Sequence, residues 1–403
     1  MFTDIENDIK LSRNPNSVSG HIFQENLKKG LIEDGNDVYT INIPRIRHFP
    51  DYNEIIVRTK MESDHLINIG FINVIGLNIL TQLISFKKAF TSLIKRFGNE
   101  PFAVVIFNSH FVQSSIVTRM RRSNMITCDV IGDLHGKFGL HNHSHDLLGR
   151  IKEILEKRED VLARKFDSFA LLTDAMADAL NIRDIKPFTV VEGFYKYEEE
   201  TEIQKVKLPR KIIEKKIVFY AGTLSLEYDI PHLIDSFMQI DDPHIYLIIA
   251  GRGDGESYVK EHSLIDNRIL YLGTLTPSEV RYVQSLSTVL VSPRRASHDY
   301  VKYSFPSKTL ECLASGKPYI AHKLPGETND YSNYIQYPAD ESDKALADKI
   351  EEICNLNEFE RNEMGKNARN FVIKEKNPQK MCMKITNLLS TEMNRRSKYN
   401  EYL

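Results

Sequence analysis

Short apolar segments that alternate with amphipathic helical segments constrain the fold of this chain more than any other feature. Each apolar segment has the β-branched and aliphatic content of a strand buried on both faces. Strands that alternate with helices in this way predict parallel sheets covered by crossover helices, an α/β fold. The apolar segments are DVYTINI, AVVIFNS, MITCDVIGD, SFALLTD and FTVVEGF in the first half, and KIVFYAGTL, IYLIIAGRGD, ILYLGTL and TVLVSPR in the second half.

A charged segment divides the two series of strands. With 403 residues, the chain is too long for one ordinary hydrophobic core. The segment YKYEEETEIQKVKLPRKIIEKK, which starts at Tyr195, is dense in alternating charge and reads as a solvated linker. We therefore predict two doubly wound, Rossmann-like domains facing across a cleft. The predicted boundaries are 1–195 for the first domain, 196–216 for the linker, 217–375 for the second domain and 376–403 for a C-terminal helix.

Composition excludes several classes of protein. The formal net charge of −2 gives no overall attraction to nucleic acid, so no nucleic-acid partner is expected. The four cysteines are scattered without a C-x-x-C pair, which is typical of reduced thiols in a cytoplasmic protein. The acidic N-terminal stretch does not resemble a signal peptide. Polar residues interrupt the most apolar window, Ile67 to Ile84, so no spanning helix is predicted.

In doubly wound folds, ligands bind where loops leave the carboxyl ends of the strands. Three loops of the second half meet this condition: YAGTLSLEYD, AGRGDGES and SPRRASHDYVKYSFPSKTLE. The glycines of the first two loops, Gly222, Gly251, Gly253 and Gly255, would let the backbone approach a ligand closely. The spacing G-R-G-D-G is not the G-x-G-x-x-G fingerprint, which argues against a NAD enzyme.

The third loop carries the strongest chemical signal. Pro306 is placed near the first position of a helix, so that Ser307 and Lys308 fall in its first turn, where free N–H groups attract phosphate. Arg294 and Arg295 add positive charge, and Glu311 has the acceptor oxygens for two neighbouring hydroxyls of a ribose. An ordinary alternative for Glu311 is a favourable interaction with the helix dipole. Phosphate donors, cations and a diol acceptor in one stretch predict a nucleoside diphosphate site.

The sequence from RGD through ILYLGTLTPSEV to SFPSKTLECLASGKPYIAHKLPG resembles the donor domain of retaining GT-B glycosyltransferases. These are the group 1 glycosyl transferases, a large family that includes capsule and exopolysaccharide enzymes. The most specific piece is F-P-S-K-x-x-E-x-x-x-S-G-x-P, and the likeness covers most of residues 168–345 and, more weakly, 14–45. The resemblance implies transfer of a sugar from a nucleotide diphosphate sugar to a glycan or lipid-linked glycan acceptor. No cofactor is expected, and no obligatory metal either, because no D-x-D motif is in a suitable loop.

The resemblance also implies roles for individual residues. Glu311 would hold the ribose, Ser307 and Lys308 would meet the diphosphate together with the loop at Gly222 and Thr223, and Arg294 would be a leaving-group partner. Catalytic roles are thus expected for Arg294 and Lys308. The complete set of expected donor-binding residues is Gly222, Thr223, Arg252, Tyr303, Ser304, Phe305, Ser307 and Glu311. Two departures stand out: Tyr303 replaces the first Glu of the family's E-x7-E pattern, and Tyr228–Asp229 replaces its Lys-Gly.

The first half offers weaker candidates. His135 follows the strand MITCDVIGD and is the third expected catalytic residue, beside Asp133, while His110 follows AVVIFNS. These positions, with Ser19 and Gly20 in the first loop, are expected to line an acceptor site. Each histidine equally fits a purely structural role. The run His141, His143, His145 lacks the spacing of an established metal motif, so no metal site is predicted.

The stretch SFKKAFTSLIKRF, Ser85 to Phe97, has an aromatic and aliphatic face flanked by lysines. The pattern predicts an interfacial helix over Phe86–Phe97 that contacts an anionic membrane surface, peripheral at the inner face of the plasma membrane. A helix packed on the protein core with solvated lysines fits the pattern equally well.

The sequence therefore favours a retaining glycosyltransferase of capsule, exopolysaccharide or other cell-surface glycan synthesis. Two alternatives stay open. One is a nucleotide-sugar epimerase on the same fold. The other is a noncatalytic partner subunit of another transferase, which the departures at Tyr303 and at Tyr228–Asp229 would permit.

Overall fold

The computed structural model describes residues 18–134, 154, 158–159, 161–196, 204–209, 212 and 214–401. The chain divides into two compact units, one formed by Met1–Phe194 with Pro378–Leu403 and the other by Tyr195–Asn377. No helix among the described residues is both long and apolar enough to traverse a lipid bilayer.

The described part of the first unit contains a four-stranded parallel sheet, a three-stranded sheet and one strand pair. Its described elements are α1 (Val18–Glu33), β1 (Thr40–Asn42), β2 (Ile56–Val57), β3 (Lys60–Ser63), β4 (Leu66–Asn68), β5 (Phe71–Ile72), α2 (Leu77–Phe97), β6 (Phe102–Phe107), α3 (Phe111–Arg119), β7 (Met125–Ile131), β8 (Ser168–Leu171), α4 (Ala175–Ala179) and β9 (Phe188–Val190). Strands β6, β7, β8 and β9 pair in that order and are all parallel. Every residue of β7 and β8 is buried, as expected for strands covered on both faces.

Strand β1 departs from the predicted series. The sequence places DVYTINI in line with the other strands of the first domain, but β1 pairs in parallel with β4, which is also antiparallel to β3. The pair β2 and β5 forms a separate antiparallel ribbon. These short strands carry polar residues at their paired positions, such as Asn42 and Asn68, whose side chains hydrogen bond to each other at 2.8 Å. The amide pair satisfies polar groups that would otherwise be buried without partners.

The last helix, α11 (Pro378–Glu401), belongs to the first unit, where it packs on α1. The two helices are in close contact at Gly30, where an added Cβ would lie 2.2 Å from the carbonyl oxygen of Pro378. Met381, Cys382 and Ile385 of α11 are fully buried. The chain thus returns to its first unit after the second unit is complete.

The second unit is a single doubly wound sheet. Its elements are β10 (Lys216–Ala221), α5 (Ile230–Phe237), β11 (Ile245–Ala250), α6 (Glu256–Ile265), β12 (Ile269–Tyr271), α7 (Pro277–Leu286), β13 (Val289–Ser292), α8 (Ser307–Ala314), β14 (Tyr319–Ala321), β15 (Ile335–Gln336), α9 (Asp343–Asn355) and α10 (Glu358–Glu375). The strand order is β12-β11-β10-β13-β14-β15, and every pair is parallel. The order reverses between β10 and β13, so the crevice for a ligand is expected above these two strands.

The core of the second unit explains why this sheet is regular. All six residues of β11 are buried, and α5 buries Leu233, Ile234 and Phe237 against it. The charged segment predicted as a linker over 196–216 is not entirely solvated, because Leu208 and Ile212 are buried and β10 starts at Lys216.

Candidate donor-binding site

Two loops flank the point where the strand order reverses. The loop of residues 222–229 follows β10, and the loop of residues 293–306 follows β13 and leads into α8. Both leave the carboxyl ends of parallel strands, where α/β sheets bind their ligands. They contain most of the residues that the sequence predicts for donor binding.

Arg294 is held in the second of these loops by aromatic rings. Its guanidinium carbon lies 5.1 Å from the ring centre of Tyr228 and 5.0 Å from that of Tyr300. Its Nη2 donates a hydrogen bond of 2.9 Å to Oγ of Ser304. Its Nε is buried and has no hydrogen-bond acceptor among the described residues. Cation–π contact orients the guanidinium without neutralising it, so Arg294 keeps a full positive charge and an open donor.

Arg295 has a different role from the one its sequence position suggests. The prediction of positive charge from both arginines is wrong for Arg295, because its Nε and Nη2 donate to Oδ1 of Asp229 at 3.0 and 2.7 Å. Its backbone N–H also donates to Oδ2 of Asp229 at 2.9 Å. Asp229 is buried, so the pair neutralises a carboxylate inside the protein and joins the two loops.

Asp229 also explains one departure from the family pattern. It occupies the glycine position of the Lys-Gly pair and has a left-handed φ of 61°. Glycine adopts this conformation without cost, and aspartate is among the few other residues that tolerate it. Asp229 keeps the turn and adds the contact to Arg295. The sequence reasoning did not identify Asp229, Tyr228 or Tyr300 as part of the site, although all three lie in the loops it selected.

Helix α8 presents its N-terminus at the end of the second loop. Pro306 is the N-cap residue rather than the first helical residue, and no side chain caps the helix. Ser307, Lys308 and Glu311 are exposed on its first turns. Nζ of Lys308 lies 3.3 Å from Oε2 of Glu311, and both side chains are about half exposed, at 52% and 57%. The uncapped N–H groups and these two side chains are therefore accessible to a ligand.

The side chains just before α8 are less accessible. Phe305 is buried and packs on Tyr331, with ring centres 5.4 Å apart, so only its backbone remains to contact a donor. Tyr303 ends a short 3-10 helix, Val301–Tyr303, and Nζ of Lys302 lies over its ring at 5.1 Å. Tyr303, with Lys302 over its ring, thus occupies the position where the family pattern E-x7-E has its first glutamate.

The glycines of the loop AGRGDGES, which follows β11, serve packing between loops rather than approach to a ligand. Gly251 has a φ of +142°, and a Cβ there would lie 1.8 Å from the carbonyl oxygen of Gly222. A Cβ on Gly253 would lie 2.1 Å from the carbonyl oxygen of Leu224. The backbone of Leu224 donates to the carbonyl of Arg252 at 2.8 Å, which joins the two loops. The expectation that Gly251 and Gly253 open space for a ligand is thus corrected.

Three predicted donor-binding residues of these two loops, Gly222, Thr223 and Arg252, are at least partly accessible. Thr223 and Arg252 are exposed, and Gly222 is half-buried. The hydroxyl of Tyr220, the residue before the end of β10, donates to the carbonyl of Thr223 at 2.9 Å. Burial of Tyr220 raises the pKa of its hydroxyl, so it stays a neutral donor that fixes the loop at Thr223.

A pair of buried histidines lies behind the site. Nε2 of His322, the first residue after β14, lies 3.0 Å from Nε2 of His232 on α5, and Nδ1 of His232 bonds to Asp343. Burial, together with the neighbouring His232, lowers the pKa of His322 to about 4. His322 is therefore neutral at physiological pH and does not oppose the charge of Arg295.

In the first unit, two candidate residues are described with their surroundings. His110 is the N-cap residue of α3, and its ring contacts the guanidinium of Arg45. Asp133 is exposed after β7. Gly20 and Ser19 lie in α1 rather than in a loop, and a Cβ on Gly20 would meet no atom within 4 Å. His135 and the histidines at 141, 143 and 145 lie outside the described residues. Among those that the structure describes, no cluster of three His, Cys, Asp or Glu could hold a metal.

The sequence reasoning missed a buried carboxyl group beside His110. Asp129 lies in the middle of β7, fully buried, and its carboxylate accepts hydrogen bonds from the backbone and the hydroxyl of Ser109. Burial raises the pKa of Asp129 to about 7. Asn108 and Ser109 both have positive φ, and Oδ1 of Asn108 accepts from the backbone of Gly132 at 2.8 Å. The sequence did contain a signal for this group, because Asp129 is the one acidic residue within the apolar strand β7.

The aromatic face of the lysine-rich helix is inside the protein. Phe86, Phe90 and Ile94 of α2 are buried, with exposed fractions of 5%, 5% and 1%. The interpretation in which the face of Phe86–Phe97 enters a membrane is therefore wrong for these side chains, and the core-packing alternative applies to them. Hydrophobic burial within the unit already removes this face from water.

Comparison with known proteins agrees with this geometry. Residues 200–371 match the family model described as Glycosyl transferases group 1. No curated protein sequence matches the chain significantly. The matched range contains both loops that flank the strand-order reversal and the whole of α8.

Solved structures show the fold. The sucrose-phosphate synthase from Thermosynechococcus elongatus is 16% identical, with 93% of this chain and 94% of that chain covered and a TM-score of 0.57. A glycosyltransferase from Rickettsia africae is 16% identical, with 81% and 84% covered and a TM-score of 0.54. HepE from Anabaena, solved in complex with UDP, is 15% identical, with 77% and 84% covered and a TM-score of 0.53. The chain has the GT-B fold, and its similarity to group 1 glycosyl transferases lies in residues 200–371.

Proposed function

We propose that this chain, whose residues 200–371 form a group 1 glycosyltransferase domain, is a retaining glycosyltransferase that uses a nucleotide diphosphate sugar. The observation that carries the proposal is Arg294, a half-buried guanidinium whose buried Nε has no acceptor among the described residues. It lies between two aromatic rings and donates to Ser304, shortly before the uncapped N-terminus of α8. Both groups lie in the loops that flank the strand-order reversal. This arrangement suits a pyrophosphate, which needs fixed positive charge and backbone donors.

Each residue of the site has a role in this proposal. The first-turn N–H groups of α8, with Ser307 and Lys308, would bind the diphosphate. Glu311 would exchange its contact with Lys308 for the two hydroxyls of a ribose, which accounts for its exposure in the free protein. Gly222 and Thr223 would contact the phosphates from the other loop. Arg252, exposed after β11, would add a further cation.

Negative charge develops on the departing diphosphate as its bond to the sugar breaks, and the transfer requires that this charge be stabilised. Arg294 is held by Tyr228 and Tyr300 before any ligand arrives, so little reorganisation is needed when charge develops. Lys308 would share this charge from the helix terminus. We propose front-face attack by the acceptor hydroxyl without a covalent intermediate, and no obligatory metal. The bond from the anomeric carbon to the diphosphate oxygen breaks as the bond to the acceptor oxygen forms, and the proton of the acceptor hydroxyl passes to the departing diphosphate.

For the acceptor we propose a glycan or a lipid-linked glycan, in capsule, exopolysaccharide or other cell-surface glycan synthesis. His110 and Asp133 follow two neighbouring parallel strands of the first unit, and His135 follows Asp133 in the sequence. Loops at this edge of a sheet commonly carry functional groups, so these residues are the proposed acceptor side. A cytoplasmic, membrane-peripheral location is part of the same proposal.

A transfer assay tests the proposed function. Nucleotide sugars are first screened for thermal stabilisation of the full chain, and the best donor is then incubated with candidate glycan acceptors. We expect free nucleoside diphosphate and an extended acceptor of retained anomeric configuration, both dependent on the acceptor. A changed nucleotide sugar without an acceptor would identify an epimerase instead. Failure of every donor to bind, with stable co-purification of another transferase, would identify a noncatalytic partner.

A further inference from the structure

Helix α2 exposes apolar side chains on the side opposite its buried aromatic face. Leu77, Leu80 and Ile84 are 48%, 55% and 62% exposed, and Ile75 just before the helix is 53% exposed. At 3.6 residues per turn, these helical positions fall on one stripe, about half a turn from Phe86. Four large aliphatic side chains within ten residues form an exposed apolar patch on the first half of the helix.

Three lysines continue the same stripe along the second half of α2. Lys87, Lys88 and Lys95 are exposed. None of the three forms an ion pair with any residue of the chain that the structure describes. An open depression of about 520 Å³ lies among them, lined by Ile84, Lys87, Lys88, Thr91, Ser92 and Lys95. The exposed surface of one helix is thus apolar at one end and basic at the other.

An ordinary solvated helix face does not explain this arrangement. Solvated faces usually mix both signs of charge, with stabilising pairs three or four residues apart, but α2 contains no acidic residue in its 21 positions. Lys95 and Arg96 lie in the last turn, where the helix dipole favours cations. Lys87 and Lys88 lie a full turn or more before that end, so the dipole does not account for them.

We infer that the exposed stripe of α2 binds an anionic lipid surface, with the helix lying in the plane of the membrane. Leu77, Leu80 and Ile84 would enter the boundary between headgroups and acyl chains, and the three lysines would contact lipid phosphates. Charge complementarity favours an anionic bilayer over an apolar protein partner, which would leave three lysines without counter-charges. A soluble polyanion would leave the apolar half of the stripe unused. This surface is distinct from the buried face of Phe86, Phe90 and Ile94.

Vesicle flotation of the full chain tests this inference. Vesicles of phosphatidylcholine alone are compared with vesicles that contain phosphatidylglycerol as well. We expect binding to the anionic vesicles only, weakened by added salt. The triple variant Lys87→Gln, Lys88→Gln, Lys95→Gln should lower the partition coefficient by at least about tenfold, since each cation near the surface contributes appreciably. The double variant Leu80→Ser, Ile84→Ser should also lower it, because its side chains are exposed in solution but buried in lipid.

Two controls make the result decisive. The triple variant Lys60→Gln, Lys165→Gln, Lys374→Gln changes net charge equally at exposed positions elsewhere and should bind vesicles like the wild type. Soluble polyphosphate distinguishes the alternative ligand: a polyanion site would lose binding in the α2 lysine variant and keep it in the Leu80, Ile84 variant. Equal vesicle binding by the wild type and both α2 variants, or none by the wild type, would overturn the inference. Because nucleotide binding is measured separately, either result leaves the donor-site proposal independent.

Discussion

Replacing Arg294 with alanine is expected to lower kcat/KM for sugar transfer by about 10²- to 10³-fold, the usual cost of removing one preorganised donor from a developing anion. The guanidinium is fixed between Tyr228 and Tyr300 and has a buried N–H without an acceptor among the described groups. Most of the loss should therefore fall on kcat rather than on KM. Steady-state kinetics with the best donor and acceptor measure both parameters.

Two further variants define what the Arg294 result means. Arg294→Lys keeps the charge but loses the planar group between the rings, so it should recover only part of the activity. Arg281→Ala removes an exposed arginine from α7 and should leave kcat unchanged. Wild-type kcat in Arg294→Ala, in a protein with an unchanged melting temperature, would remove Arg294 from the mechanism.

Replacing Gly251 with alanine is expected to lower the free energy of unfolding of the second unit by about 2 to 6 kcal/mol. Positive φ strains an alanine by roughly 1 to 3 kcal/mol. In addition, its Cβ would lie 1.8 Å from the carbonyl oxygen of Gly222, so the backbone of one loop must move. Overpacking of this kind typically costs a further 1 to 3 kcal/mol or so. Urea unfolding followed by circular dichroism measures the difference.

The chain supplies a matched control for this variant. Gly273 also has a positive φ, of +68°, but a Cβ there would meet nothing within 4 Å. Gly273→Ala should therefore show only the backbone strain and a clearly smaller loss. Nucleotide affinity should fall in Gly251→Ala and remain in Gly273→Ala, because only the first displaces the loop at Gly222. Equal losses of stability in the two variants would show that contact between the loops is not the reason for glycine at 251.

The regular part of the fold could be predicted from sequence because burial on both faces leaves a clear pattern. The strands β10, β11 and β13 fall within the apolar runs KIVFYAGTL, IYLIIAGRGD and TVLVSPR. The short strands β2 to β5 gave no such signal, since exposed or half-buried segments of two to four residues carry too few apolar positions. Their arrangement depends on tertiary contacts such as the Asn42–Asn68 pair.

The candidate site was predictable in position but not in detail. The sequence shows where a strand ends and where the next helix begins, and this was enough to place Ser307, Lys308 and Glu311 at the predicted site. Arg295 is paired with the carboxylate of Asp229, 66 residues away in the sequence, whereas Arg294 is not. No local sequence pattern shows that contact. The apolar face of α2 shows the same limit, because an amphipathic pattern does not reveal whether that face packs on the core or contacts a membrane.

The central claim is that the start of α8, with Arg294 and Glu311, binds a nucleoside diphosphate, and titration calorimetry with UDP and the other common nucleoside diphosphates tests it most directly. One of them should bind the wild type, and Glu311→Ala should weaken that binding by about 10- to 100-fold, since a hydrogen bond to a charged group is lost. Glu352→Ala breaks a comparable ion pair three residues from its lysine, Lys349, on α9, and should bind like the wild type. Wild-type affinity in Glu311→Ala, or equal losses in both variants, would contradict the account.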